Sequence, residues 1–311
     1  MSRIVVTGAA GFIGRALCRG LIERGHRVLG LTRTDAEAIP GVELGPIGDI
    51  GPHTAWTEHL AASDTVIHLA TRAHRPMSEQ DSRREAAAAA ALARGAAAQG
   101  VRRLVFMSSI RAMREVTRPG APFRPTDPPQ PRERYGVGKL AIERALASAA
   151  GETGLELVIL RPPLVYGPAV GANFRALMRL VASQLPLPFA GVDNRRSLIF
   201  LDNLIDLTAL AAIHPAAAGQ VLLMRDTVDL STPELICTLA DGLGRRARLF
   251  AFPETGFAAF RHIPALGPLV ARLTLSLQAD DRATRSLLGW TPPVAAEIGL
   301  AATARDFRSR S

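Results

Sequence analysis

The stretch that most narrows the folds open to this chain lies at residues 3–24, where a β-branched run, Arg3 to Thr7, passes directly into Thr7-Gly8-Ala9-Ala10-Gly11-Phe12-Ile13-Gly14 and then into a helical pattern. Strand, glycine turn and helix follow one another without a spacer. Glycines at 8, 11 and 14 remove the Cβ wherever a backbone must turn tightly and approach a pyrophosphate. The helix that follows offers its free N–H groups to that anion. The spacing is G-x-x-G-x-x-G, and its strand-to-helix setting favours dinucleotide binding over a bare turn.

Further strands are expected at 27–32, 42–44, 65–69, 103–107 and 155–160, separated by helical segments. Strand and helix in alternation predict an α/β fold, a doubly wound parallel sheet. The alanine-rich tract at 78–99 reads as a helix packed closely on that sheet, because alanine is the strongest helix former. A proline-rich loop, with Pro119, Pro122, Pro125, Pro128, Pro129 and Pro131, leads into a helix starting near Tyr135. Beyond residue 160 the spacing becomes irregular: a Pro/Gly loop at 161–171, helices at 174–183 and 202–213, strands at 198–201 and 220–224. Ser231-Thr232-Pro233-Glu234 predicts a capping box, and helices are expected at 280–288 and 295–307. This pattern predicts a cofactor domain at 1–165 and a smaller α/β lobe at 166–311, with the strand and helix near 198–213 returning to the first domain.

The helix at Tyr135 carries an unusual pair. Lys139 is the single lysine among 37 lysine and arginine residues, and Tyr135 is one of two tyrosines. At i and i+4 the two side chains share a helix face, so an ammonium can lie beside a phenol. Such a pairing favours the phenolate and would bring the tyrosine pKa down towards neutrality, suiting it to acid/base work. On spacing alone, an exposed helix pair is an equal reading.

Composition limits the alternatives. The net charge of +9 invites a nucleic-acid or membrane-surface partner, but the arginines are scattered, and nucleic-acid binding is not expected. Cys18 and Cys237 form no paired framework and no metal-ligand spacing is present, so a reducing cytoplasm is the expected compartment. Met1 to Thr7 runs straight into an apolar strand pattern, so secretion is not expected. The apolar stretch at 256–277 is interrupted by Arg261, His262 and Arg272, so no membrane span is expected there.

TGAAGFIG at 7–14, HLA at 68–70, MSSI at 107–110, YGVGK at 135–139, RPPLVYGP at 161–168, NRRS at 194–197 and LGW at 288–290 together resemble the extended short-chain dehydrogenase/reductase family. That family comprises nucleotide-sugar epimerases, dehydratases and reductases, and the resemblance runs nearly end to end. It implies a Rossmann fold with a C-terminal substrate lobe. It also implies a catalytic triad of Ser109, Tyr135 and Lys139, with Ser108 as the neighbouring alternative to Ser109. Tyr135 would exchange a proton with a sugar hydroxyl, Lys139 would hold the nicotinamide ribose and depress the phenol, and Ser109 would bond the same sugar oxygen. The implied cofactor residues are Gly8, Gly11, Phe12, Ile13 and Gly14, then Thr32, Arg33, Asp49 and Ile50, then Leu69, Ala70, Thr71 and Pro162, besides Tyr135 and Lys139. Ser108, Ser109, Asn173 and Arg196 are the implied substrate contacts, with Asn173 equally readable as a helix N-cap.

Two departures matter. Glu85 stands where many relatives have asparagine, and Thr32-Arg33 replaces the acidic residue that takes the ribose 2′-hydroxyl of NAD, although Asp35 lies close behind. Arg33 would pair with a 2′-phosphate, which favours NADP over NAD. The favoured expectation is a UDP-linked 4-keto-sugar reductase and the alternative is a UDP-sugar 4-epimerase, with a non-catalytic NADP sensor as a minor third. A 4,6-dehydratase is disfavoured because Ile110 and Arg111, not an acidic pair, follow Ser109. Ala141, Ala145 and Ala149 would suit a homodimer face or packing within one subunit.

Overall fold

The computed structural model describes residues 1–71, 78–118, 120–264 and 266–310; Pro119 of the expected loop lies outside them. In chain order the first part runs β1 (Arg3–Thr7), α1 (Phe12–Glu23), β2 (Arg27–Thr32), β3 (Glu43–Pro46), α2 (Thr57–Leu60), β4 (Thr65–His68), α3 (Glu79–Ala98), β5 (Arg103–Met107), α4 (Arg134–Thr153) and β6 (Glu156–Arg161). The second part runs β7 (Leu164–Tyr166), α5 (Ala172–Ala182), β8 (Leu198–Phe200), α6 (Leu201–Ile213), β9 (Val221–Leu223), α7 (Thr232–Gly242), α8 (Glu254–Arg261), α9 (Gly267–Thr274), α10 (Arg282–Leu288) and α11 (Ala296–Ser309).

Seven strands form one sheet in the order β3-β2-β1-β4-β5-β6-β9, every pair parallel. This is the doubly wound Rossmann order, in which the chain reverses direction between β1 and β4 and opens a crevice at their carboxyl ends. The central strands are apolar on both faces because helices cover both. On one side Leu17, Cys18 and Leu21 of α1 and Leu204, Ile205 and Leu207 of α6 pack on Ile4, Val6 and Ile67. On the other, Leu92, Ala93 and Ala96 of α3 and Ile142, Leu146 and Ala149 of α4 pack on Val5, Val66 and Leu104. Ala149 is therefore buried inside the subunit, while Ala141 and Ala145 keep partial exposure.

Local chemistry explains the element ends. Ser78 and Asp81 form a capping box at α3, and Ser231 and Glu234 form the expected one at α7. Arg103, 1% exposed, joins β5 to the end of α6. Its Nη1 donates to the carbonyls of Ala211 and His214 at 2.9 Å and its Nη2 donates to Glu156 at 2.7 Å, so orphan helix carbonyls gain a charged donor.

The sequence expectations need corrections. The third strand sits at Glu43–Pro46, displaced from 42–44. The loop at 161–171 contains β7, which pairs in parallel with β8 to make a separate two-stranded sheet. The strand near 198, expected to return to the first domain, therefore stays outside the main sheet, whose seventh strand is Val221–Leu223, within the expected 220–224. The apolar stretch at 256–277 folds as part of α8 and as α9. Among the described residues no helix is long and apolar enough to cross a membrane. A second core, with Phe174, Met178, Leu235, Leu239, Phe257 and Leu300, sits among α5, α7, α8 and α11. Tyr166, the other tyrosine, lies in that core and donates to Asp226 at 2.6 Å.

Candidate active site

The crevice begins at the glycine turn. Gly8 has φ +75°, and the Gly8 and Ala9 N–H groups donate back to Leu31 O at 2.9 and 3.2 Å, fixing the turn to β2. A Cβ on Gly14 would lie 2.2 Å from Gly8 O, so the helix can approach the turn this closely only with glycine there. Gly11 is the N-cap of α1, contributes no capping side chain, and no acidic residue occupies the first turn. The first-turn N–H groups at Phe12, Ile13 and Gly14 are thus available to an anion.

The neighbouring strand exits are tied to this turn. Thr7 Oγ1 accepts from the Leu69 and Ala70 N–H groups at 3.2 Å each, and it sits 2.8 Å from His68 Nδ1. Its single proton therefore goes to Nδ1, which makes His68 the Nε2–H tautomer. Burial, aided by the Lys139 charge, lowers His68 to about 3, so the ring is neutral. Thr32 is buried at the end of β2. Arg33 and Asp49 stand exposed at the adjoining ends of β2 and β3, 4.0 Å apart. Ile50 packs beneath them on the α3/α4-side core. Pro162 is buried, and its carbonyl accepts from Ile110 N at 2.9 Å.

Helix α4 brings the central pair to the crevice. A Cβ on Gly136 would meet Arg111 O at 2.2 Å, so glycine there lets the start of α4 press against the turn that carries Ser109. Ser109 lies beside Tyr135, close enough for its hydroxyl to pull the phenol pKa down. Lys139, 5% exposed, donates from Nζ to Thr71 Oγ1 at 2.7 Å and to the Met107 carbonyl at 2.9 Å. The ammonium also lies 5.0 Å from the Phe106 ring centroid and 6.0 Å from that of Tyr135. Burial lowers the lysine to about 8, with Glu85 and Glu143 opposing the shift.

The expected phenol shift is corrected here. Burial raises the Tyr135 pKa above its ordinary 10.0; the Ser109 hydroxyl and the Arg111 charge pull it down, and Glu85 pushes it up. The i, i+4 spacing does put Nζ near the ring, but its hydrogen bonds go to Thr71 and Met107. Burial of the phenol therefore outweighs the favourable charges.

Behind the pair, the same helix face continues to Glu143 at i+8 from Tyr135. Arg161 Nε and Nη2 donate to the two Glu143 carboxylate oxygens at 3.0 and 2.5 Å, with both side chains buried. Ser108 donates to the same carboxylate. The two adjacent serines are thus separated: Ser108 is 4% exposed and committed to the interior, whereas Ser109 faces Tyr135.

The far wall is cationic. Arg196 donates from Nη1 to the Leu275 carbonyl at 3.0 Å. Burial, then the like charges of Arg111 and Arg272, lower it to about 10. Arg111 is neutralised by Glu133, the N-cap of α4, at 2.7 Å. The Arg272 Nε is buried without a hydrogen-bond partner among the described residues. Arg196 and Arg272 therefore form a pair short of counter-charge, a setting that suits a doubly charged anion. Arg272 escaped the sequence reading because nothing distinguishes it from the other arginines. Asn173 is exposed in the first turn of α5 and the N-cap is Gly171, so Asn173 is not the cap.

Comparison with known proteins gives a consistent picture. The family model described as the NAD dependent epimerase/dehydratase family matches residues 4–223. The UDP-glucose 4-epimerase of Vibrio cholerae is 36% identical over 313 residues, covering 98% of this chain and 95% of its own. The 2-alkyl-3-oxoalkanoate reductase of Stenotrophomonas maltophilia (strain K279a) is 30% identical over 255 residues, 78% of this chain and 76% of the relative. The solved structure of MoeE5 in complex with UDP-glucuronic acid and NAD aligns with a TM-score of 0.80 at 26% identity, covering 99% of this chain and 100% of that one.

Proposed function

The chain belongs to the NAD dependent epimerase/dehydratase family, and we propose that it carries out oxidation and reduction at C4 of a UDP-linked sugar, with Tyr135 as the acid/base. The observation that carries this reading is the convergence of Ser109, Tyr135 and the buried Lys139 on one crevice, opposite the Arg196/Arg272 pair.

The residues present fit a dinucleotide. The uncapped first turn of α1 would take its pyrophosphate, Asp49 and Ile50 its adenine, Leu69, Ala70 and Pro162 its middle, and Thr71 with Lys139 the nicotinamide ribose. When bound, NAD or NADP supplies hydride uptake and return at the sugar carbon. Tyr135 then removes the proton of the C4 hydroxyl in one direction and restores it in the other, while Ser109 holds the same oxygen through a hydrogen bond. Lys139 provides a positive charge that offsets the phenolate in that step. The pair Arg196 and Arg272 would hold the diphosphate, leaving Arg111 balanced by Glu133 beside the sugar.

Epimerisation at C4 is the first reading, supported by the end-to-end similarity to the Vibrio cholerae UDP-glucose 4-epimerase. Reduction of a 4-keto sugar is the second. Two observations favour it: the raised Tyr135 pKa keeps the phenol protonated and ready to donate, and the end of β2 offers Arg33 where an acidic residue would select NAD. Incubation with UDP-glucose or a UDP-4-keto sugar, with NADPH absorbance followed, tests the two together. Product without net cofactor change indicates epimerisation, and net NADPH consumption indicates reduction. Failure to convert either substrate with either cofactor overturns the proposal. In the same assay Arg33→Ala is expected to lower NADPH preference over NADH roughly tenfold or more, as loss of one charged phosphate contact would; an unchanged ratio removes Arg33 from the 2′-phosphate role.

A further inference from the structure

The apolar stretch at 256–277 and the positive net charge remain unused by the chemistry above. Both features fall within residues 245–277 of the C-terminal lobe. Helices α8 and α9 are each anchored on one apolar face: Phe257 is buried and stacks on Phe189 with centroids 5.9 Å apart, and Val270 and Leu273 pack on the same core. Away from that core, the two helices and the link between them leave large apolar side chains exposed. Phe260, Ile263, Leu266 and Leu269, spaced three residues apart, are 41%, 41%, 46% and 53% exposed. Phe250, 46% exposed, extends the patch from the segment before α8, where Phe252 stacks on Phe260 at 5.8 Å. Large side chains grouped in this way mark an interaction surface rather than scattered exposure.

Charge decides what covers it. Residues 245–275 contain five arginines and a single carboxylate, Glu254, which is paired with Arg261. Arg246 and Arg248 stand exposed four and two residues before Phe250. A second copy of the chain would bring a rim of this kind against its equal, placing arginine against arginine. An anionic lipid surface supplies the opposite sign and an apolar interior in the same place. We propose that the α8–α9 face docks on an anionic phospholipid membrane, inserting Phe260, Ile263, Leu266 and Leu269 at the headgroup level while Arg246 and Arg248 contact lipid phosphate. No spanning helix is needed for such a contact. Because α9 also carries Arg272, docking sets the substrate crevice beside the membrane surface.

The test is sedimentation of the full chain with vesicles of phosphatidylcholine alone and of phosphatidylcholine mixed with phosphatidylglycerol. Binding to the mixed vesicles, weakened by salt and absent from the neutral ones, is expected. Leu266→Ser combined with Leu269→Ser is expected to weaken partitioning roughly tenfold or more, and Arg246→Glu with Arg248→Glu to do the same from a different segment. Melting temperature and turnover of soluble UDP-sugar should stay at wild-type values, since all four side chains project outward. Absence of wild-type binding to mixed vesicles overturns the proposal. So does equal binding to both vesicle types. A concentration-dependent dimer that Leu266→Ser and Leu269→Ser abolish would assign the face to a second copy instead.

Discussion

Replacing Lys139 with methionine separates what the buried ammonium does for the reaction from what it costs the fold. The lysine falls from 10.5 to about 8 because it is nearly enclosed, with Thr71 Oγ1 and the Met107 carbonyl as its hydrogen-bond partners. At 1.36 kcal/mol per unit, that depression amounts to about 3 kcal/mol of penalty carried by the charged form below pH 8. Methionine removes the penalty and fills the slot, but leaves the Met107 carbonyl without its donor, a loss of about 1–3 kcal/mol. The two effects nearly cancel, so Lys139→Met should match wild-type stability at pH 7 to within about 2 kcal/mol. The sign of the pH dependence is the sharper observable. Between about 8 and 10.5 the unfolded lysine still holds its proton while the folded one has released it, so wild-type stability gains from this group as pH rises. Urea denaturation of the cofactor-free protein at pH 7 and pH 10 should show this increment in the wild type and its loss in Lys139→Met. An identical pH increment in both proteins would refute the argument, because it would mean the ammonium is not buried as described.

Other consequences follow from the same geometry. The chain has two tyrosines, and burial raises both Tyr135 and Tyr166, so the native cofactor-free protein should show no phenolate absorbance below pH 10; a phenolate near neutrality would restore the direct lysine effect. Gly136→Ala would drive a Cβ to 2.2 Å from Arg111 O, so either α4 or the Ser109 turn must move. A stability loss of about 1–3 kcal/mol is expected, with a larger fall in kcat than in substrate affinity, measured by denaturation and steady-state kinetics; unchanged kcat would show that the Ser109–Tyr135 contact tolerates the displacement.

How much of this was legible in the sequence depended on range. The β1, glycine turn and α1 unit is local, since its glycines and strand pattern are contiguous, and the structure places each as read. Tyr135 and Lys139 could be paired because a helix makes i and i+4 neighbours. What the phenol experiences could not be read from spacing, since it depends on burial and on which groups capture Nζ. Glu143 was within reach as the next i+4 step along the same face, but its partner Arg161 comes from another element and is one arginine among many. Strand β7 is three residues long, follows Pro162 and Pro163, and exists only through its pairing with β8 more than thirty residues later. The α8–α9 region was read only as too interrupted to span a membrane; Pro264 and Gly267-Pro268 divide it into two short helices, and only tertiary packing shows which apolar residues are left outside.

The central claim is that the Tyr135 hydroxyl moves the proton at C4. The most direct measurement compares wild type and Tyr135→Phe in conversion of UDP-glucose with cofactor supplied, alongside cofactor binding by fluorescence. A fall in turnover of about 10²–10⁴-fold with cofactor affinity and melting temperature retained is the predicted result, since only the hydroxyl is lost. Turnover within a few-fold of wild type would contradict the account and move the acid/base role to another group.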